Sequence, residues 1–280
     1  MAIRVRKTYD GRWETLQAFS VPAIYLDHWA VRRFSDNPKL GNRFSAALLR
    51  ARGSWCVSHQ TLAEFAGPGD VAHAEAAEVL IDSTMSNIYF VELDVKKAIV
   101  AEQNNGGSRN LHPPPDHELL SLVTDRLPVT KGVLTFKGLL VAIAQSKDKV
   151  GATFKETNDE IANMVATQRA DPEYVKKAKY FRPESNRSPT LTLMGEMLRS
   201  FVIDENTPFT RNDASDFQHA VISTTYCQYV LLDKKWQHVL AVATRRIEEQ
   251  GLPFTPAKCF SESRDGIDQF LTELESLDLT

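Results

Sequence analysis

The sequence predicts an α/β protein in which helices cover both faces of a parallel sheet. Three short apolar segments, 21–26, 55–57 and 88–93, are too short for core helices and are typical of buried strands. Two segments with helical periodicity, 41–52 and 71–81, alternate with them. Alternation of strands and helices along a chain favours a parallel sheet with helices on its faces.

The end of the chain repeats this pattern. The apolar segment 229–232 reads as a buried strand, 239–247 as a helix, 256–260 as a last short strand and 265–274 as a closing helix. The segment 95–204 shows only helical periodicity after its Gly-rich and Pro-rich loops. We therefore expect one α/β domain in two halves, 21–94 and 205–280, separated by an inserted all-helical subdomain at 95–204.

Composition excludes several classes of protein. The chain has 280 residues and a formal net charge of −3, so no global basic field draws it to nucleic acid. Its three cysteines lie far apart with no CxxC spacing, which argues against a disulfide framework or a thiolate zinc site and suits a reducing cytosol. No segment approaches the roughly 18 apolar residues of a membrane helix. We expect a cytoplasmic protein without a membrane partner.

Carboxylates fall at or near the ends of the predicted elements. Asp27 follows the first strand, and Glu64 lies on the helix after the second. Asp213 and Asp216 are three residues apart at the start of a helix, and therefore share one side of it. Asp233 follows the strand 229–232 directly. Because sites in open α/β sheets form beyond the carboxyl ends of the strands, we expect these side chains to converge.

Such a set of carboxylates has a definite chemistry. Without accompanying His or Cys ligands, carboxylates favour hard cations, here Mg²⁺ or Mn²⁺, over zinc. Crowded carboxylates also repel one another unless a divalent ion neutralises them. An ion held in this way can orient a phosphodiester and activate water against it. The chain has no G-x-S-x-G elbow, no P-loop and no G-x-G-x-x-G sequence, which argues against nucleophilic-serine and nucleotide-driven chemistry.

Four ordered segments resemble those of PIN-domain nucleases, most closely the bacterial PIN-like group. They are YLD at 25–27, SHQTLAEF at 58–65, NDASDFQHA at 212–220 and YCQYVLLDKKW at 226–236. The resemblance covers about 21–94 and 205–262. It implies a Rossmann-like sheet and a Mg²⁺- or Mn²⁺-dependent endoribonuclease, often a toxin or defence effector. It also implies an RNA substrate and an antitoxin or other regulatory protein as partner; self-association stays open.

The resemblance assigns roles to the carboxylates by position. Asp27 matches the first-strand aspartate, Glu64 the glutamate of the following helix, Asp216 the aspartate that opens the late helix, and Asp233 the one after the next strand. Asp213 matches an extra aspartate of the PIN-like group. All five are expected to bind the metal and serve catalysis, with Asp213 in a supporting role.

Two positions depart from the family pattern. Gln228 stands where the PIN-like group usually has Asp, and Leu232 stands where a Thr or Ser commonly precedes the last Asp. One alternative is therefore a catalytically weak PIN-like module that binds RNA or a protein. Another is a structure-specific DNA nuclease with the same metal chemistry.

A basic cluster within the helical middle is a candidate substrate-binding surface. Lys176, Lys177, Lys179 and Arg182 surround two aromatic residues, and the segment 131–187 has eleven Lys or Arg against seven Asp or Glu. Phosphate contacts and base stacking use such residues. The alternative interpretation is a solvated helix end. For His219 and His28 we expect structural roles.

Overall fold

The computed structural model describes residues 2–67, 71–108, 112–183, 187–204, 206–263 and 265–277, without the side chains of 71 and 147–154. The first half of the chain contains β1 (Ile3–Lys7), β2 (Trp13–Gln17), β3 (Ala23–Leu26), α1 (His28–Ser35), α2 (Pro38–Ala51), β4 (Ser54–Val57), α3 (His59–Phe65), α4 (Val71–Thr84) and β5 (Ile88–Phe90). The helices α5 (Val95–Asn104), α6 (His117–Arg126), α7 (Phe136–Ala170), α8 (Pro172–Tyr180) and α9 (Pro189–Ile203) follow. The last part contains α10 (Arg211–Tyr226), β6 (Tyr229–Leu231), α11 (Lys234–Glu249), β7 (Lys258–Phe260) and α12 (Gly266–Glu275).

A five-stranded parallel sheet organises the fold, in the order β5-β4-β3-β6-β7. The prediction of a parallel α/β sheet is thus confirmed. Ile24 of β3 pairs with Trp55 of β4 on one side and with Tyr229 of β6 on the other. The strand order therefore reverses between β3 and β6. In sheets of this type, ligands bind in the crevice beyond the carboxyl ends of the strands at such a switch point.

Two hydrophobic cores lie on opposite faces of the sheet, as strand alternation requires. Ile24 and Leu26 belong to one core and Ala23 and Tyr25 to the other. Buried residues of α1, α2, α4 and α12 join the first core, and those of α9, α10 and α11 join the second. Tyr25 and Asp27 are two positions apart, so the Tyr25 ring lies beneath the end of the strand that carries Asp27.

The helical content expected between β5 and α10 is present in the described residues. Helix α7 alone has 35 residues. These helices share the two main cores: Leu119 and Phe136 pack into the first, and Val165 and Leu193 into the second. None of the helices in the described part of the chain combines the length and apolar character needed to cross a membrane.

Sequence reasoning missed the antiparallel hairpin of β1 and β2. In β1, Ile3 and Val5 alternate with basic residues, so the strand has no continuous apolar run. Mutual pairing, with Ile3 opposite Gln17, satisfies its backbone. This hairpin is a separate sheet, joined to β5 through the Gln17 side chain, which hydrogen-bonds the Phe90 backbone, and it carries none of the predicted site residues.

Candidate active site

Asp27 and Asp233 stand at the switch point: Asp27 directly follows β3, and Asp233 lies two residues after the end of β6. The Asp27 backbone N–H donates to Leu231 O at 3.0 Å, which extends the β3–β6 pairing to the carboxylate itself. Both residues also cap helices. Asp27 Oδ1 accepts from the His28 N–H at 2.9 Å, and Asp233 Oδ1 accepts from the Trp236 N–H at 3.0 Å. In the described structure the second carboxylate oxygen of each has no hydrogen-bond donor.

Asp216 brings a third carboxylate to this point from α10. Its side chain reaches solvent, yet surrounding protein still desolvates it. Burial raises the pKa of Asp216 to about 6, and the negative charge of Asp233 raises it further, against a lowering by Trp236. The buried Trp236 Nε1 makes no hydrogen bond of normal geometry, so its N–H lies near the carboxylate without binding it.

Asp27 completes this group of three, which we call the acidic trio: Asp27, Asp216 and Asp233. Burial raises the pKa of Asp27 to about 7, the His28 N–H opposes that rise, and the charges of Asp216 and Asp233 add to it. None of the trio makes a salt bridge within the described ranges. The trio is therefore a concentration of like charge, in which the neighbouring carboxylates disfavour the ionised forms of Asp27 and Asp216.

A buried Tyr–His pair lies beneath the trio. The Tyr25 hydroxyl hydrogen-bonds His219 Nδ1, and both side chains are buried. Burial raises the pKa of Tyr25, and the charges of Asp27, Glu64 and Asp216 raise it further. Burial lowers the pKa of His219 to about 3, so this imidazole is neutral near pH 7. The structural role expected for His219 is confirmed, because it holds the Tyr25 side chain below the carboxylates.

Glu64 lies near the trio but has its own partner. Its Oε2 is 3.1 Å from His28 Nδ1, and the His28 ring packs edge-on against Phe65. Its charge nevertheless acts on Tyr25, as do those of Asp27 and Asp216. The structure thus brings Glu64 to the rim of the trio, where it is paired with His28.

Asp213 is tied to α10 and α11. Its Oδ2 accepts from the Thr210 N–H at 2.7 Å and from Thr210 Oγ1 at 2.8 Å, forming a capping box. Its Oδ1 pairs with Lys235 Nζ. Burial alone would raise the pKa of Asp213, but the hydrogen bonds from Lys235 and Thr210 outweigh it and lower the pKa. Asp213 therefore already has a counterion in Lys235, whose charge also lowers the pKa of Asp216 without a salt bridge to it.

Sequence reasoning missed three features of this site. Tyr25 could have been recognised from its i, i+2 relation to Asp27 on a strand. Lys235 gave a weaker signal, as a cation two residues after Asp233. Gln60 donates a hydrogen bond to Ser215, which joins α3 to α10. Nothing in the sequence indicates this bond, because both residue types are common on solvated helices.

The departure at Gln228 lies at the other end of the sheet. Gln228 Oε1 accepts from the Ala23 N–H at 2.6 Å, at the amino ends of β3 and β6. Gln228 precedes Asp233 by five residues, or roughly 16 Å of extended chain. Leu232 is 2% exposed and packs into the second core. Neither position is a carboxylate missing from the trio.

The oxygen ligands of the acidic trio are of the type that binds a hard divalent cation. The trio offers carboxylate oxygens, which Mg²⁺ and Mn²⁺ prefer, and no salt bridge neutralises them. Among the described residues, no three His, Cys, Asp or Glu side chains are already gathered into a metal-ligand geometry.

A small pocket of about 340 Å³ opens beside Asp233. Its lining comprises Trp29, Asp233, Lys234, Glu262 and Ser263. An aromatic ring and a cation next to a carboxylate are groups that contact a base or sugar and a phosphate.

The basic cluster is solvent-exposed and lies on α8 and just beyond its C-terminal end. Lys176, Lys177, Lys179 and Arg182 are all exposed. Helix α8 packs against α7 and α9, through buried residues such as Val175. Successive helical residues are 100° apart, so Lys176 and Lys177 project in different directions.

Comparison with protein-family models, curated proteins and solved structures finds no match for this chain.

Proposed function

We propose that the protein is a metal-dependent endoribonuclease of PIN type, with the acidic trio as its catalytic centre. The observation that supports this most strongly is the meeting of Asp27, Asp216 and Asp233 at the switch point, without salt bridges. Raised carboxyl pKa values in one crevice are typical of functional sites, where charged groups are placed at a cost to stability.

Asp27, Asp216 and Asp233 would hold Mg²⁺ or Mn²⁺, with Glu64 at the rim. When bound, the ion supplies positive charge that orients a phosphodiester and promotes attack by water. The capping bonds engage Oδ1 of Asp27 and of Asp233, so each side chain is held in place with Oδ2 available.

Asp213 and Lys235 have a supporting role in this proposal. Their ion pair links the start of α10, which carries Asp216, to the start of α11, which Asp233 caps. The exposed Lys234 beside the 340 Å³ pocket would contact a phosphate of the substrate.

The position of Gln228 favours an active nuclease over a weak binding module. The weak-module alternative depends on Gln228 replacing an Asp of the site. Because Gln228 hydrogen-bonds Ala23 at the other end of the sheet, this replacement removes no carboxylate from the trio. We also propose, from the resemblance, a toxin or defence role with a regulatory protein partner. A cytosolic location suits the free thiols of Cys56 and Cys227, which are both buried.

Cleavage assays test this proposal. The wild-type protein is expected to cut single-stranded RNA with Mn²⁺ or Mg²⁺ and to stop cutting in EDTA. Asp216→Asn should reduce the rate by about 10²-fold or more, because a ligand worth several kcal/mol is lost. Asp125→Asn, which removes an exposed carboxylate of α6, is the matched control and should cut normally.

Two results would oppose the proposal. Equal cleavage by Asp216→Asn and the wild type would remove the trio from catalysis. A wild-type protein that cuts flapped DNA but not RNA would instead be the DNA nuclease.

A further inference from the structure

A groove outside the acidic trio runs between α7, α8 and α9. It encloses about 350 Å³, and its described lining includes Met164, Tyr174, Lys177, Phe181, Arg187 and Leu198. Most of these are apolar, and the cations lie among them. An apolar groove with cationic groups suits an anionic ligand that also has flat or apolar parts.

One wall of the groove is an aromatic–cation–aromatic stripe: Tyr174, Lys177 and Phe181. Spacings of three and four residues place them along one side of α8 and its C-terminal end. Tyr174 is 42% exposed and Phe181 is 40% exposed, so both rings are accessible. Seven residues of helix span about 10 Å. The stripe thus presents two exposed rings about two helical turns apart in the chain, with a cation between them.

Neighbouring residues hold the stripe in place. Arg199 donates to Phe181 O at 3.1 Å and also pairs with the buried Glu196 at 3.2 Å. The Arg187 guanidinium lies over the Phe181 ring, 5.4 Å from its centroid. Arg187 therefore adds a second cation beside one of the rings.

The charge of this region extends beyond the groove. Lys176, Lys179 and Arg182 are exposed nearby, and Tyr180 is 80% exposed. A compact acidic peptide in the groove would leave these cations unused. A long polyanion crossing α8 would contact cations on both sides of the helix.

We propose that this groove binds single-stranded nucleic acid, with bases stacked on Tyr174 and Phe181 and phosphates at Lys177 and Arg187. This inference rests on the proposed nuclease function and deepens it, because the groove would be a second surface, outside the trio, that holds the substrate. Aromatic rings accept any base, because every base has a π-face, and single strands leave those faces available. The residues of the groove recognise features shared by RNA and DNA.

Binding in EDTA tests this inference independently of cleavage. Fluorescence anisotropy would follow 15-nucleotide single-stranded RNA and DNA probes on the full chain. Tyr174→Ala and Phe181→Ala should each weaken binding about tenfold, within the range measured for loss of a stacked base. Lys177→Glu should weaken it and flatten the dependence of log K on log[salt] by about 0.7 or more.

Matched controls exist elsewhere on the surface. Tyr9→Ala removes an exposed ring of the β1–β2 hairpin, and Lys39→Glu reverses an exposed charge on α2. Both should bind like the wild type. Comparison of the RNA and DNA probes identifies which sugar the groove prefers, and binding of either supports the inference.

Unchanged binding by all three groove variants, with native circular dichroism, would overturn the inference. Equal binding of a poly-glutamate peptide would also overturn it, in favour of a protein-docking surface. If groove variants lose binding but the wild type never cuts RNA, the groove stands and the proposed nuclease activity fails.

Discussion

Asp27→Asn is expected to abolish metal-dependent cleavage and to make the folded protein more stable at neutral pH. Asn is as good an N-cap as Asp, so it can still accept from the His28 N–H that Asp27 Oδ1 binds at 2.9 Å. It cannot carry the negative charge that the trio disfavours. Loss of a primary metal ligand should reduce the cleavage rate on the order of 10³-fold.

The gain in stability depends on pH in a defined direction. Burial raises the pKa of Asp27 from 3.8 to about 7 on folding, so the folded state holds this proton more tightly than the unfolded state. The protonated Asp27 carboxyl therefore adds to the free energy of unfolding fully below pH 4, and this addition is lost as the pH rises towards 7. Above pH 7 the effect of Asp27 on stability no longer changes with pH. The advantage of Asp27→Asn should therefore be near zero at pH 4 and on the order of 2–4 kcal/mol at pH 8.

Urea unfolding in EDTA at pH 4, 6 and 8 would measure this difference. Asp125→Asn should show neither the activity loss nor the pH-dependent gain. A loss of stability for Asp27→Asn at pH 8 would mean that the Asp27 charge is stabilising, contrary to the account of the trio. Retained cleavage by this variant would exclude Asp27 as a ligand.

Addition of Mn²⁺ is expected to raise the melting temperature strongly at pH 8 and weakly at pH 5. A ligand at 100 times its Kd stabilises the folded state by about 2.7 kcal/mol when it binds only that state. Metal binding to carboxylates requires them to lose their protons. Burial raises the pKa of Asp27 to about 7 and that of Asp216 to about 6, so both are mainly protonated at pH 5.

Asp216→Asn should remove most of the Mn²⁺-dependent increase, and Asp125→Asn should retain all of it. An increase of equal size at pH 5 and pH 8 would place the ion away from these two carboxylates. The same conclusion would follow from an undiminished increase in Asp216→Asn.

The sequence was sufficient to predict the centre of the sheet and its acidic edge. Strands β3, β4 and β6 are short apolar runs, and such runs indicate buried strands whatever the arrangement of the surrounding helices. Asp27 and Asp233 follow two of these runs directly, so their position depends only on where the strands end. The strand β1 escaped prediction because basic residues interrupt its apolar pattern.

The sequence alone does not predict which side chains of different helices pair with one another. Glu64 pairs with His28 across α3 and α1, and Asp213 pairs with Lys235 across α10 and α11. Such pairs depend on how whole elements pack, and sequence spacing does not contain that information. The same limit applies to the basic cluster, where Lys177 lies on the groove and Lys176 does not line it.

The anomalous signal of manganese, from a crystal of the wild-type protein soaked in Mn²⁺ at pH 8, would show directly whether the acidic trio binds the metal. We expect a peak about 2.0–2.3 Å from carboxylate oxygens of Asp27, Asp216 and Asp233, with Asp213 still paired to Lys235. A peak elsewhere on the protein, with none at the trio, would contradict this expectation.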